Sequence, residues 1–218
     1  ALGVFDLKNA KIAAHKTYPI AANWKIALEN YQECYHCAPS HPEYAMSHTL
    51  KVTGERFDDL QKPMLARMES CGIKDYRVYK GWDSQDPGQE QYYYSRYALY
   101  EGYKTGSKDG EPLAPLMGSL TGYDGGASDF GVGPMSFMLG YNDHVVVYVF
   151  TPTSHETSAC DIYWLVRGDA EEGVDYDLDR LTWLWHVTTL ADERIIVDNQ
   201  KGVNSRKYAP GTPANMEK

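Results

Sequence analysis

Glu29-Asn30-Tyr31-Gln32-Glu33-Cys34-Tyr35-His36-Cys37-Ala38-Pro39-Ser40-His41-Pro42 is the stretch that decides how this chain is read. Fourteen positions hold two histidines, two carboxylates, two thiols and two phenols, more polar chemistry than an ordinary core helix carries. His36 and His41 are five residues apart, which on an ideal helix leaves them well off one face. Pro39 and Pro42 argue that a helix running over 24–37 ends or bends just after His36. Such a bend brings His41 back toward His36, with Glu33 one turn earlier on the same face. Two neutral imidazoles and one carboxylate from elsewhere, with open positions left, make the facial triad of non-haem ferrous sites.

The same residues carry a resemblance. Asn23-Trp24-Lys25, then Glu29-Asn30-Tyr31-x-Glu33-Cys34-Tyr35-His36-x4-His41-Pro42, resembles the catalytic domain of Rieske non-haem iron oxygenase alpha subunits. It continues in Ala191-Asp192-Glu193 and in Gln200-Lys201-Gly202-Val203-Asn204-Ser205, so two separated motifs agree in order. The resemblance implies an α+β, helix-grip fold: a curved antiparallel sheet packed on a long C-terminal helix. It implies mononuclear Fe(II) on His36, His41 and Asp192. Glu33 would link that iron to the cluster of a neighbouring subunit in a head-to-tail homotrimer. Glutamate at that place is similar to the branch containing carnitine monooxygenase and glycine betaine demethylase. Members also carry a Rieske [2Fe-2S] cluster, fed from NAD(P)H by a reductase with or without a ferredoxin. The two-pair arrangement that holds this cluster, a Cys-x-His followed by a Cys-x-x-His, is not in the sequence. The expectation is therefore a single catalytic domain over 1–218 whose Rieske domain lies outside this chain, weak in turnover alone. The activity implied is O2 activation to hydroxylate a small organic substrate. Aromatic ring hydroxylation and oxidative N-demethylation of a quaternary ammonium compound both stay open.

Composition sets outer limits. A chain of 218 residues with 43% hydrophobic content suits one globular domain with a sizeable core. A net charge of -9 argues against nucleic acid and anionic membrane surfaces as partners. No run of eighteen apolar residues appears, and Ala1–Ala13 lacks the pattern of a signal peptide, so a cytoplasmic location is expected. Cys34-x-x-Cys37 has no second closely spaced pair to complete a structural zinc site, so reduced thiols are expected. Two rivals nevertheless remain: a zinc-stabilised domain using Cys34, Cys37 and His36, and a non-catalytic hydrophobic-ligand module of the same fold.

The rest of the chain reads as follows. Residues 1–20 form a weakly patterned lead-in, and Ser40 to Gly81 reads as loop with Lys62-Pro63 as a breaker. Residues 82–90 are polar turn material. Strands are expected over Tyr92–Tyr100, Met135–Tyr141, His144–Phe150 and Ser158–Val166, with Asn142-Asp143 as a hairpin turn. The glycine-rich stretch from Gly102 to Gly133 is too broken for regular structure. A helix capped near Asp175-Tyr176-Asp177 runs over Leu178–Lys201 and stops at Gly202. Leu181, Leu184, Trp185, Thr188, Ala191, Ile195 and Val203 form its apolar stripe, with Asp192 beside it. Gln200 and Asn204 are candidate supports for the metal. His186, His144, His15, His48 and His155 read as non-ligands. Tyr31 is singled out near the iron, and the eighteen tyrosines offer aromatic walls for a quaternary ammonium or a planar ring.

Overall fold

A strand survives as the scaffold of a site when its alternate side chains serve two different layers. The computed structural model describes residues 2–33, 35–49, 52, 54–74, 79–81 and 92–211, and there this principle organises the molecule. The strands are β1 (Lys11–Ile20), β2 (Tyr79–Gly81), β3 (Tyr92–Ala98), β4 (Gly126–Val132), β5 (Ser136–Gly140), β6 (Val145–Pro152) and β7 (Ser158–Val166). They form a seven-stranded sheet in the order β1-β7-β6-β5-β4-β3-β2, antiparallel at every pairing. The helices are α1 (Trp24–Gln32), α2 (Cys37–Ser40), α3 (Pro42–Ala45), α4 (Glu55–Met68) and α5 (Leu178–Val203).

Two apolar layers result. On one face Leu139, Tyr148, Phe150, Ile162 and Trp164 meet Leu181, Leu184, Trp185 and Ile196 of α5. On the other, Tyr94, Ala98, Phe130 and Val145 meet Met64 and Met68 of α4 and Phe5. This is the expected α+β helix grip. No helix among the described residues is long and apolar enough to cross a membrane.

The hairpin and the strand over Ser158–Val166 stand as the pattern predicts, and Asp177 caps α5 by accepting the Arg180 N–H at 2.8 Å. Elsewhere the fold departs from the local signals. The first helix ends at Gln32, not after His36, with Glu33 as its extended C-cap. The stretch expected to be loop contains α4, and Pro63 lies inside it. An interior proline costs about 3 kcal/mol. Burying Met64 and Met68 almost completely returns roughly 1.5–3 kcal/mol each, so packing outweighs the breaker. β1 went unread because its burial alternates poorly and is interrupted by a bulge between Ile12 and Ala14. Its Pro19 is tolerated because β1 is an edge strand. β4 was hidden by Gly126 and Gly131. The turn reading of 82–90 lies outside the described residues.

The remainder of the glycine-rich stretch, up to Gly125, is irregular but pinned from inside. Asp143 accepts from the Thr105 hydroxyl at 2.6 Å and the Leu113 N–H at 2.8 Å. Gly106 has no room for a side chain, since a Cβ there would lie 2.4 Å from the Tyr141 ring.

Candidate metal centre

The break after α1 builds the site. Glu33 turns its carboxylate back over the following residues: Oε2 accepts from the backbone N–H of Tyr35 at 3.1 Å and of His36 at 3.4 Å. Oε1 takes the Nδ1 of His36 in a short contact that fixes the ring. His36 then enters α2, and His41 sits at the joint between α2 and α3. The two imidazole rings lie 5.2 Å apart, nearly perpendicular.

From the other end of the chain, α5 supplies Asp192. It lies within the buried face of that helix, in line with Trp185, Thr189, Ile196 and Gln200, and not beside it. Its Oδ1 stands 2.9 Å from His41 Nε2 and 3.1 Å from His36 Nε2. Asn30 completes the set, donating from Nδ2 to the same oxygen at 2.8 Å. Sequence reasoning passed over Asn30. Its signal was a poor helix-interior residue in mid-helix, which there has to find a partner. Replacing Asn30 by Ala is expected to weaken iron affinity by about tenfold or more, as removal of a ligand's support usually does. Chelator competition measures this.

Electrostatics favour a cation among these atoms. Burial pushes the Asp192 carboxyl up, but the hydrogen bonds from His36 and His41 outweigh it and hold it below the usual carboxylate range. Burial pulls His36 down, and its bonds to Asp192 and Glu33 reverse that and raise it. A neutral His36 that donates Nδ1–H to Glu33 presents a bare Nε2 lone pair to a carboxylate oxygen. A second proton on the ring or a metal ion resolves this opposition. Donors on one face of a six-coordinate ion with bonds of about 2.1 Å stand about 3 Å apart, the spacing found here. The residues present therefore fit a ferrous ion. Cys37 Sγ also belongs to the cluster, with the His36 and His41 donors all within 4.8 Å of one another. At 3.9 Å from His36 Nε2 it is the more distant candidate.

Other candidates lie elsewhere. Gln200 accepts from the Asn23 backbone N–H at 2.8 Å and donates to Asn204 at 3.1 Å, so both tie helix ends together away from the metal centre. His186 pairs with Tyr18, His144 with Asp143 and His15 with Asp161. His48 is more than a lone histidine: fully buried, it receives the Tyr141 hydroxyl at 2.7 Å. Burial lowers it to about 3, against the raising effect of the Tyr44 carbonyl, so it stays neutral. Tyr31 sits against Phe137, Tyr148 and Phe150 with ring centroids 5.0–5.8 Å away. Its phenol is raised well above the ordinary value, by burial first and then by the Asp192 charge. Cys37, Cys71 and Cys160 are buried and in no disulfide among the described residues, and Cys34 lies outside them.

The sequence profile of the family described as "Ring hydroxylating alpha subunit (catalytic domain)" matches residues 7–218. The chain belongs to this family. Among curated members, the glycine betaine monooxygenase oxygenase subunit of Pseudomonas aeruginosa is 34% identical over 214 residues, covering 95% of this chain and 48% of its own length. The carnitine monooxygenase oxygenase subunit of Acinetobacter baumannii is 49% identical over 41 residues, covering 19% of this chain and 11% of its own. The chain thus spans about half the length of the glycine betaine relatives it matches. In fold it is similar to a quaternary ammonium Rieske monooxygenase described for carnitine oxidation and inter-subunit electron transfer. That likeness has a TM-score of 0.55 at 19% identity, over 92% of this chain and 43% of the other.

Proposed function

We propose that this chain is the iron-binding catalytic domain of a Rieske-type oxygenase alpha subunit. The observation that carries the reading is the meeting of two imidazole Nε2 atoms with one carboxylate oxygen at 2.9 and 3.1 Å. His36, His41 and Asp192 would hold a single ferrous ion, which when bound supplies open positions for activating O2 beside the substrate. Asn30 keeps Asp192 oriented, and Glu33 holds the His36 ring by its Nδ1, leaving Nε2 for the metal. The aromatic wall of Tyr31, Phe137, Tyr148 and Phe150 excludes water from that side.

On this reading electrons come from NAD(P)H through a separate reductase, with or without a ferredoxin, and then through a Rieske [2Fe-2S] cluster. Glu33 would be the point of contact with the cluster of a neighbouring subunit in a homotrimer, and the location would be cytoplasmic. The glycine betaine and carnitine relatives support a quaternary ammonium substrate, oxidised at an N-methyl carbon that leaves as formaldehyde. Hydroxylation of an aromatic ring is the second reading, supported by the family's ring-hydroxylating description.

Metal analysis after anaerobic reconstitution tests the proposal. About one iron per chain is expected, lost in His36→Ala and kept in the double variant Cys34→Ser, Cys37→Ser. Zinc that disappears with the two thiols would sink it. Glu33→Gln should keep its iron while turnover with the Rieske partner falls by about tenfold or more, because the His36 ring loses its charged support.

A further inference from the structure

On the face of the sheet turned toward α5, β4 holds a charged group that the metal centre does not use. Along β3 and β4, Tyr93, Ser95, Tyr97, Ala127, Asp129 and Gly131 share the face of Leu139 and Phe137, as the pairings Ser95–Asp129, Asp129–Leu139 and Gly131–Phe137 require. That face belongs to the same layer as α5, since Ala127, Leu139, Tyr97 and Phe137 pack with Leu181 and Trp185. Asp129 lies deep in the protein, yet it keeps accessible surface, as do Tyr93, Ser95, Tyr97 and Phe137.

The carboxylate is short of compensation. The Tyr93 hydroxyl donates to Oδ1 at 3.2 Å, and among the described residues no lysine, arginine or histidine pairs with it. Gly131 makes this possible: a Cβ there would lie 2.0 Å from the Tyr93 ring, so the ring rests directly on the β4 backbone with its hydroxyl turned to Asp129. Burial pushes the Asp129 carboxyl up to about 7, partly offset by the Tyr93 bond. A buried carboxylate without a countercharge is costly. The same wall runs toward the metal centre. Phe137, opposite Gly131, has its ring centroid 5.8 Å from that of Tyr31, and Tyr31 is next in sequence to Asn30, which donates to Asp192.

We infer that Asp129, with the rings of Tyr93, Tyr97 and Phe137, is the subsite that holds the quaternary ammonium group of the substrate. A trimethylated nitrogen donates no hydrogen bond. It is therefore stabilised by a nearby negative charge and by aromatic faces, the two things this wall supplies. An uncharged aromatic substrate would have no use for the carboxylate. The substrate class rests on the oxygenase reading above, but the subsite is tested without turnover.

The probes are glycine betaine and its carbon isostere 3,3-dimethylbutanoate, alike in shape but differing in the one positive charge. Calorimetric titration of the full chain at pH 8.5, above the range where Asp129 titrates, should show betaine bound at least tenfold more tightly than the isostere. In Asp129→Asn that preference should collapse, betaine weakening tenfold or more while the isostere is unchanged or improved. Tyr93→Phe, which keeps the ring and frees the carboxylate, should retain the preference. The proposal is overturned if the wild-type protein binds neither probe, if it does not prefer the cation, or if Asp129→Asn keeps the preference. Iron content, measured on the same samples, is a separate readout. Full iron with no cation preference sinks the subsite alone, and a preference without iron sinks the oxygenase reading alone.

Discussion

Asp192→Ala is expected to leave a folded protein with almost no bound iron and with turnover reduced by at least about a hundredfold. The oxygen lost is the one on which His36, His41 and Asn30 all converge. Without it two imidazoles remain on the neighbouring elements, and a ferrous ion held by two neutral nitrogens has little reason to stay. Asp192→Asn separates charge from shape, because the amide keeps the size and one oxygen while removing the negative charge. It should also lose the iron, with thermal stability of the metal-free protein changed by no more than about 1–3 kcal/mol. Metal analysis with parallel circular dichroism melting reads both. Iron retained at wild-type level in either variant refutes the assignment of this carboxylate.

The largest effect on stability is expected far from the metal, at Arg96. Its guanidinium is fully buried and grips Asp124 with Nε at 2.9 Å and Nη2 at 2.5 Å, while also donating to Ser128 and Asn142. The Asp124 carbonyl in turn accepts from Arg67, and Asn142 donates to the Gly122 carbonyl. Removing one partner of a buried ion pair costs about 3–5 kcal/mol because the other charge is stranded. Arg96→Leu should therefore lower Tm by roughly 10 °C in a domain of this size. The double variant Arg96→Leu, Asp124→Leu should recover most of that loss, because no charge is left behind. Iron content should stay at the wild-type level. A single variant that melts with the wild type would show that water or a rearranged neighbour already serves Asp124.

The sequence was legible where one residue type could do only one thing. His36, His41 and Asp192 were expected together, and the structure brings them together. The hairpin at Asn142-Asp143 and the helix after Asp177 were equally readable, since turn and cap chemistry is local. What stayed hidden depends on distant packing. Pro63 reads as a stop until Met64 and Met68 are seen buried under the sheet. Gly126 and Gly131 read as loop until the Tyr93 ring is seen occupying the space a side chain would fill. Asn30 needed Asp192, 162 residues away, before its role could be seen. Asp129 drew no reading because β4, on which it sits, was missed.

The two separate apolar layers have a bearing on how this protein tolerates change. Neighbouring positions of β6 answer to different masters: Val145 and Val147 serve the layer under α4, whereas Val146, Tyr148 and Phe150 serve the layer that frames the candidate metal centre. Damage should sort by parity. Truncations at the first set ought to make the molecule melt earlier while leaving its chemistry alone, and truncations at the second ought to alter which molecules it accepts.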